Sequence, residues 1–175
     1  APAMDAAAIA TSYLFHLGDN AILRSGARAG HRVAVIGLGG LGRSSVAMAS
    51  LAGARVHALS DHSSSLAIAR ASYGAKGVYT RADRARLASD LGAGGGADIV
   101  ILTTSGWEDF ELALAIAGRN AVIACLGFPG REEAPGEFNP LASEHFYTKQ
   151  LRIEAVGLSP LENDPRGFNR FNMRD

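Results

Sequence analysis

Gly37-Leu38-Gly39-Gly40-Leu41-Gly42 is the segment of this chain whose residue types and spacing could do chemistry. It follows the apolar run Val33-Ala34-Val35-Ile36 and opens an Ala-rich stretch through Ala47, Ala49 and Ala52. Strand, glycine turn, helix is the order that a dinucleotide-binding unit requires. Gly37 permits a tight turn. Gly39, without a side chain, lets a pyrophosphate lie against bare backbone. Gly42 lets the helix pack closely on the sheet. Gly40 and Leu41 belong to the helix's first turn, where unpaired N–H groups and the positive end of the dipole attract phosphate. Arg43 could add a phosphate contact or stand as a solvated arginine.

A carboxylate completes the pattern. Asp61 closes the second apolar run, Val56-His57-Ala58-Leu59-Ser60, at the spacing of a ribose-binding acid. Facing a 2′-phosphate it would meet like charge, worth up to ~4 kcal/mol per charge at ~4 Å before screening. Asp61 therefore favours NAD over NADP, the alternative being a cap on the following helix.

The elements that must position these residues alternate along the chain. Strands are expected at 33–36, 55–59, 77–79, 99–102, 121–126 and 151–158, and helices between them. Ser63 or Ser64 is the expected cap of the third helix, which places Leu66, Ala69 and Tyr73 on one face. Gly53, Gly74 and Gly118 are expected helix stops. Glu108, Asp109 and Glu111 crowd a helix start, where the dipole favours acids. The fold class is α/β, a Rossmann-type doubly wound parallel six-stranded sheet with helices on both faces. Residues 1–175 form a single dinucleotide-binding domain, expected to be cut from a longer protein.

Composition excludes several classes. The chain has 175 residues, 47% of them hydrophobic, with zero net charge. Neither a nucleic-acid surface nor an anionic membrane is implied. Arg81, Arg84 and Arg86 gather, but Asp83 and Asp90 interrupt them, as on a solvated helix face. No run is long enough to span a membrane, and residues 1–10 do not form a signal peptide. Cys125, the only cysteine, sits in an apolar run as a buried strand residue, and a reducing cytoplasm is the default location.

Several further segments carry a resemblance: Gly30-His31-Arg32-Val33 with the helix before it, Gly53-Ala54-Arg55-Val56, Tyr73-Gly74-Ala75, Gly96-Ala97-Asp98-Ile99-Val100, Leu126-Gly127-Phe128-Pro129 and Phe138-Asn139-Pro140-Leu141. From Ala6 to about Leu158 the chain resembles the cofactor domain of medium-chain dehydrogenases/reductases, the zinc-type alcohol dehydrogenase superfamily. The resemblance implies a hydride-transferring oxidoreductase that works on an alcohol or carbonyl with NAD. It implies that Thr103 and Thr104 line the adenine-ribose side, and that Leu126, Gly127 and Phe128 meet the nicotinamide carboxamide. Ordinary turn chemistry and loop packing are the alternatives at those positions. His62 and His16 could approach the adenosine and nicotinamide ends. Segment 151–156 would pair across a two-fold axis to form a homodimer.

The departures matter too. By ungapped count, Ser12 stands where the family's last catalytic zinc ligand falls, and serine is a poor zinc ligand. Zinc would come only through a domain outside this sequence, and no catalytic residue is assigned. The isolated chain is expected to bind cofactor weakly and turn over little. Three other readings stay open: a zinc-independent NADPH quinone or enoyl reductase of the same superfamily, a noncatalytic NAD-sensing module, and a methyltransferase.

Overall fold

The computed structural model describes residues 5–131, 133–134 and 138–157. Its six strands are β1 (Arg32–Ile36), β2 (Arg55–Leu59), β3 (Gly77–Tyr79), β4 (Ala97–Leu102), β5 (Ala117–Cys125) and β6 (Arg152–Ala155). They lie in the order β3-β2-β1-β4-β5-β6, and every neighbouring pair is parallel. The order turns back at β1 and β4, which makes the sheet doubly wound, as expected.

The strands are apolar on both faces because both faces are covered. Side chains alternate between them. Ala34 and Ile36 of β1, Val100 and Leu102 of β4 and Ile123 of β5 join one core with Leu87, Leu91, Phe110 and Leu114. Val33, Val35, Ile99, Ile101, Val122 and Ala124 join the other with Ala21, Ile22, Val46, Ala49 and Ala69. The first core is roofed by α4 (Arg84–Gly92) and α5 (Trp107–Ile116), the second by α1 (Ala6–Ser25), α2 (Gly40–Leu51) and α3 (Ser63–Ala71). Leu66 packs against the second core beside buried Ala69, as expected on α3, whereas Tyr73 packs there from beyond the helix, which ends at Ala71.

β1, β4 and β5 begin earlier than expected, at Arg32, Ala97 and Ala117, and other boundaries differ as well. Neither Ser63 nor Ser64 caps α3. His62 holds the cap position without a side-chain bond, and its own N–H donates to the Ser60 hydroxyl at 3.2 Å. Asp61 therefore does not cap α3 either. Gly118 does not stop α5, which ends at Ile116 as Ala117 turns extended (φ −62°, ψ 130°). Gly118 is already in β5, against the backbone of the 92–96 turn; a Cβ there would lie 2.5 Å from the Gly95 carbonyl oxygen. The carbonyls that α5 leaves open are taken instead by Lys149, whose Nζ donates to Leu114, Ala115 and Ala117 at 2.7, 3.0 and 3.0 Å. Finally, β6 is short, Arg152–Ala155, and Leu158 lies outside the described residues, as does the stretch 159–175.

Candidate functional site

The glycine turn lies where β1 enters α2, at the carboxyl end of the sheet's centre. Gly37 has φ 88°, a left-handed conformation that a side chain would strain, and a Cβ there would also press on Thr103 and Thr104. Gly42 packs so closely on the Gly37 carbonyl that its Cβ would overlap the oxygen. Gly39 is the opposite case, with nothing within 4 Å of an added Cβ. The turn is thus closed by two glycines and left open at the third.

Gly39 caps α2 with no side-chain bond, and the helix's first turn carries no acid. The first intrahelical N–H of this turn to find an acceptor is Arg43, on the Gly39 carbonyl at 3.0 Å. Those of Gly40, Leu41 and Gly42 have no acceptor within the helix, as at any helix start. Thr103 and Thr104, following β4, divide their work. The Thr103 hydroxyl donates to the Ile36 and Gly37 carbonyls, both at 3.0 Å, and so braces the turn. The Thr104 hydroxyl is buried and has no hydrogen-bond partner. The open backbone at Gly39, leading into the unpaired N–H groups of the helix start, fits a nucleotide diphosphate.

On one side of the turn, Asp61 lies past the end of β2 with its side chain 52% exposed. Arg81 donates to it twice, from its backbone N–H to Oδ1 at 2.8 Å and from Nη1 to Oδ2 at 2.6 Å. The Arg81 N–H first, then its guanidinium, hold the Asp61 carboxyl below its ordinary value. Arg81 is therefore not part of a solvated helix face. It sits in a 3-10 turn, Arg81–Asp83, set by a capping box in which Asp83 accepts from the Thr80 N–H and hydroxyl at 3.0 and 2.8 Å. Sequence reasoning passed over it, although the Thr-x-x-Asp spacing is a turn signal. His62, next to Asp61, is exposed.

On the other side is an apolar cavity of about 610 Å³. Leu41, Leu126, Gly127 and Phe128 line it, as do Tyr13, Leu17 and Val156, which the sequence did not single out. Tyr13 and Leu17 sit four apart on α1, a helical spacing that puts them on one face. Phe128 is 65% exposed and its N–H donates to the Ser105 hydroxyl at 3.3 Å. Cys125 ends β5 half-buried at the cavity wall, where burial pushes its thiol up to about 11. A thiol in that state is a packing group rather than a nucleophile.

His16 packs beside Tyr13, with ring centroids 6.5 Å apart. Ser12 is exposed on α1 and its hydroxyl donates to the Ile9 carbonyl at 2.7 Å. Among the described residues no three His, Cys, Asp or Glu side chains come together as a metal site. The described residues of this chain do not fit zinc. Nor is any helix among them long and apolar enough to cross a membrane.

A doubly wound parallel sheet with a glycine turn at its switch point defines a Rossmann-type α/β domain. The family model for zinc-binding dehydrogenases matches residues 40–166, and the chain belongs to that family, as its cofactor-domain part. No curated protein sequence matches it. Among solved structures it is similar to galactitol-1-phosphate dehydrogenase from Escherichia coli, at 22% identity over 91% of this chain and 46% of that one (TM-score 0.77). It is also similar to an alcohol dehydrogenase from Thermus sp. ATN1, at 26% identity over 87% and 42% (TM-score 0.71). A quinone oxidoreductase from Thermus thermophilus, solved with and without NADPH, is 29% identical over 86% and 46% (TM-score 0.68). The chain spans less than half the length of each.

Proposed function

We propose that this chain holds the nicotinamide dinucleotide of an alcohol dehydrogenase-like oxidoreductase. The observation that carries the reading is the open backbone at Gly39 where β1 enters α2, with a carboxylate on one side and an apolar cavity on the other. The N–H groups of Gly40, Leu41 and Gly42 hold the pyrophosphate. Asp61 accepts from the adenosine ribose, which favours NAD, and the walls of Leu41, Leu126 and Phe128 keep water from the nicotinamide. When bound, the cofactor supplies hydride transfer to or from a carbonyl or alcohol carbon. The substrate side of the cleft belongs to a catalytic domain outside this sequence, and residues 1–175 are one cofactor domain. Among the described residues no strand lies beyond β6, and an outermost strand supports pairing with a second copy.

The test is titration of the protein with NADH, followed by fluorescence, beside its Gly39→Val variant. NADH binding that the variant abolishes supports the reading. Equal binding by a folded Gly39→Val protein contradicts the placement of the pyrophosphate.

A further inference from the structure

α1 is seated on α2 through Gly18, which is buried and where an added Cβ would lie 2.9 Å from the Ser44 carbonyl carbon. That close crossing fixes the position of α1 against the sheet. Tyr13 and Leu17, just before Gly18, stand at the wall of the apolar cavity of about 610 Å³.

The polar equipment of this cavity is sparse. Among the described residues no Lys, Arg, His, Asp or Glu side chain lines it. Backbone N–H groups along the wall are already used. Leu126 and Gly127 donate to the Leu102 carbonyl at 2.9 and 3.0 Å, and Val156 to the Cys125 carbonyl at 2.9 Å. The Phe128 N–H is taken by Ser105. Cys125 offers an S–H, a weak donor. Tyr13 carries the only O–H among the lining side chains. Its hydroxyl has no hydrogen-bond partner among the described residues, and the residue is 38% exposed. The fold makes no use of that hydroxyl.

These features limit what a nicotinamide in this cavity acts on. A cavity of this size takes a whole small molecule rather than a single ring. An ionised group resting on these walls loses water and gains no counter-charge, which is strongly unfavourable. Several hydroxyl groups would share one partner, leaving the others unpaired. A single carbonyl or alcohol oxygen is satisfied by one phenol, which both donates and accepts. The carbon skeleton behind that oxygen gains from burial against leucine and phenylalanine.

We infer that Tyr13 is a substrate-binding residue, whose hydroxyl hydrogen-bonds the oxygen of an uncharged, apolar alcohol or carbonyl compound, and that the bare walls select against phosphorylated or polyhydroxylated ones. The inference rests on the reading that the nicotinamide occupies this cavity.

The experiment titrates cyclohexanone into the chain saturated with NAD⁺, a pair in which neither member has a hydride to give. Binding is followed by the methyl NMR signals of Leu17, Leu41, Leu126 and Val156. Glycerol phosphate is the charged polyol probe, and Tyr13→Phe keeps the ring while dropping the hydroxyl. Cyclohexanone is expected to move these signals and glycerol phosphate to leave them in place. Tyr13→Phe is expected to weaken cyclohexanone about three- to tenfold, with NAD⁺ affinity and melting temperature unchanged. Unchanged cyclohexanone affinity in Tyr13→Phe, or a loss confined to NAD⁺, overturns the role of the hydroxyl. Glycerol phosphate binding as tightly as cyclohexanone, or no cyclohexanone binding, overturns the substrate class. Each of these leaves the cofactor reading intact, whereas a wild-type chain that binds no NAD⁺ overturns both.

Discussion

The Thr103 hydroxyl donates to the carbonyl oxygen of Gly37 at 3.0 Å, tying the end of β4 to the turn that ends β1. Its neighbour Thr104 has a hydroxyl that is buried and bonded to nothing. Two adjacent threonines thus differ in what they do, and the difference is measurable. Thr103→Val is expected to lower stability by about 1 kcal/mol, the net worth of an intramolecular hydrogen bond. Thr104→Val removes an unpaired polar group and is expected to leave stability unchanged or raise it, while weakening NADH several-fold. Denaturant titration with NADH binding on both variants checks this. A Thr104→Val protein that loses stability but keeps its affinity would assign the hydroxyl to the fold.

The glycine turn makes a second contrast. A Cβ at Gly42 overlaps the Gly37 carbonyl, whereas one at Gly39 meets nothing. Gly42→Ala is expected to cost roughly 2 kcal/mol or more, as overpacking against backbone does. Gly39 has φ −65°, which alanine accepts, so Gly39→Ala is expected to gain a few tenths of a kcal/mol while losing NADH affinity tenfold or more. Thermal unfolding and NADH titration separate the two. Equal damage to stability from both would mean that Gly39 is packed, not open.

The residues that were legible in the sequence are those whose signal is local. A left-handed Gly37, a small residue at Gly42 and apolar strands covered on both faces each leave a mark within a few positions. The same alternation of runs marks a parallel α/β sheet, while the strand order itself is seen only in the fold. What escaped depends on partners far along the chain. Arg81 looks solvated among its neighbours, and only the approach of α5 to the end of β2 brings Asp109 and Asp61 to it, 28 and 20 residues away. Likewise the end of α5 has no glycine stop because Lys149, more than 30 residues on, takes its carbonyls. The cavity wall from α1 escaped for the same reason, since Tyr13 and Leu17 meet Leu126 and Val156 only after folding.

That lysine is a prediction in itself. Three carbonyl oxygens at a helix's negative end converge on one ammonium group, which burial pulls below its ordinary value. Lys149→Met keeps the stem and drops the donors. It is expected to lower stability by about 2 kcal/mol, from lost charge-assisted bonds and the unpaired carbonyls. Hydrogen exchange should show the loss concentrated at 113–118. Uniform loosening across the sheet would argue against a local cap.

Arg32 and Asp98 join the starts of β1 and β4. Asp98 accepts from the Arg32 backbone N–H at 2.7 Å and from Nη2 at 3.0 Å. Burial pushes the Asp98 carboxyl up, but the Arg32 side chain and N–H outweigh it and hold it below 3.8. A carboxyl depressed in the fold stabilises above its unfolded value, and that stability is lost as pH falls through the folded one. The stability gap between wild type and Asp98→Asn should therefore be constant from about pH 5 to 7 and close below about pH 4. Unfolding curves across that range check it. A gap that persists at low pH would assign the loss to packing rather than to the charge.

His57, Tyr79 and Asp90 form a chain in which one proton decides the rest. The Tyr79 hydroxyl donates to Asp90 Oδ2 at 2.7 Å, and burial and then Asp90 push the phenol up to about 12, so it stays protonated. It has one hydrogen to give, and a carboxylate can only accept. His57 Nδ1, 3.0 Å from the same oxygen, must therefore be a donor, so the neutral ring carries its hydrogen on Nδ1. Burial lowers the His57 value despite the attraction of Asp90. Below pH 6.5 the unfolded ring takes up a proton that the folded ring resists, so this contribution is present above 6.5 and lost as pH falls toward the folded value. Tyr79→Phe removes the acceptor. It should shift the ring toward the Nε2–H form and lower the melting temperature by about 2–4 °C, as a loss near 1 kcal/mol does in a domain of this size. Nitrogen-15 spectra of the imidazole read the tautomer directly. An Nε2–H ring in the wild-type protein would mean that Tyr79 gives its hydrogen to His57, leaving Asp90 as a solvated surface carboxylate.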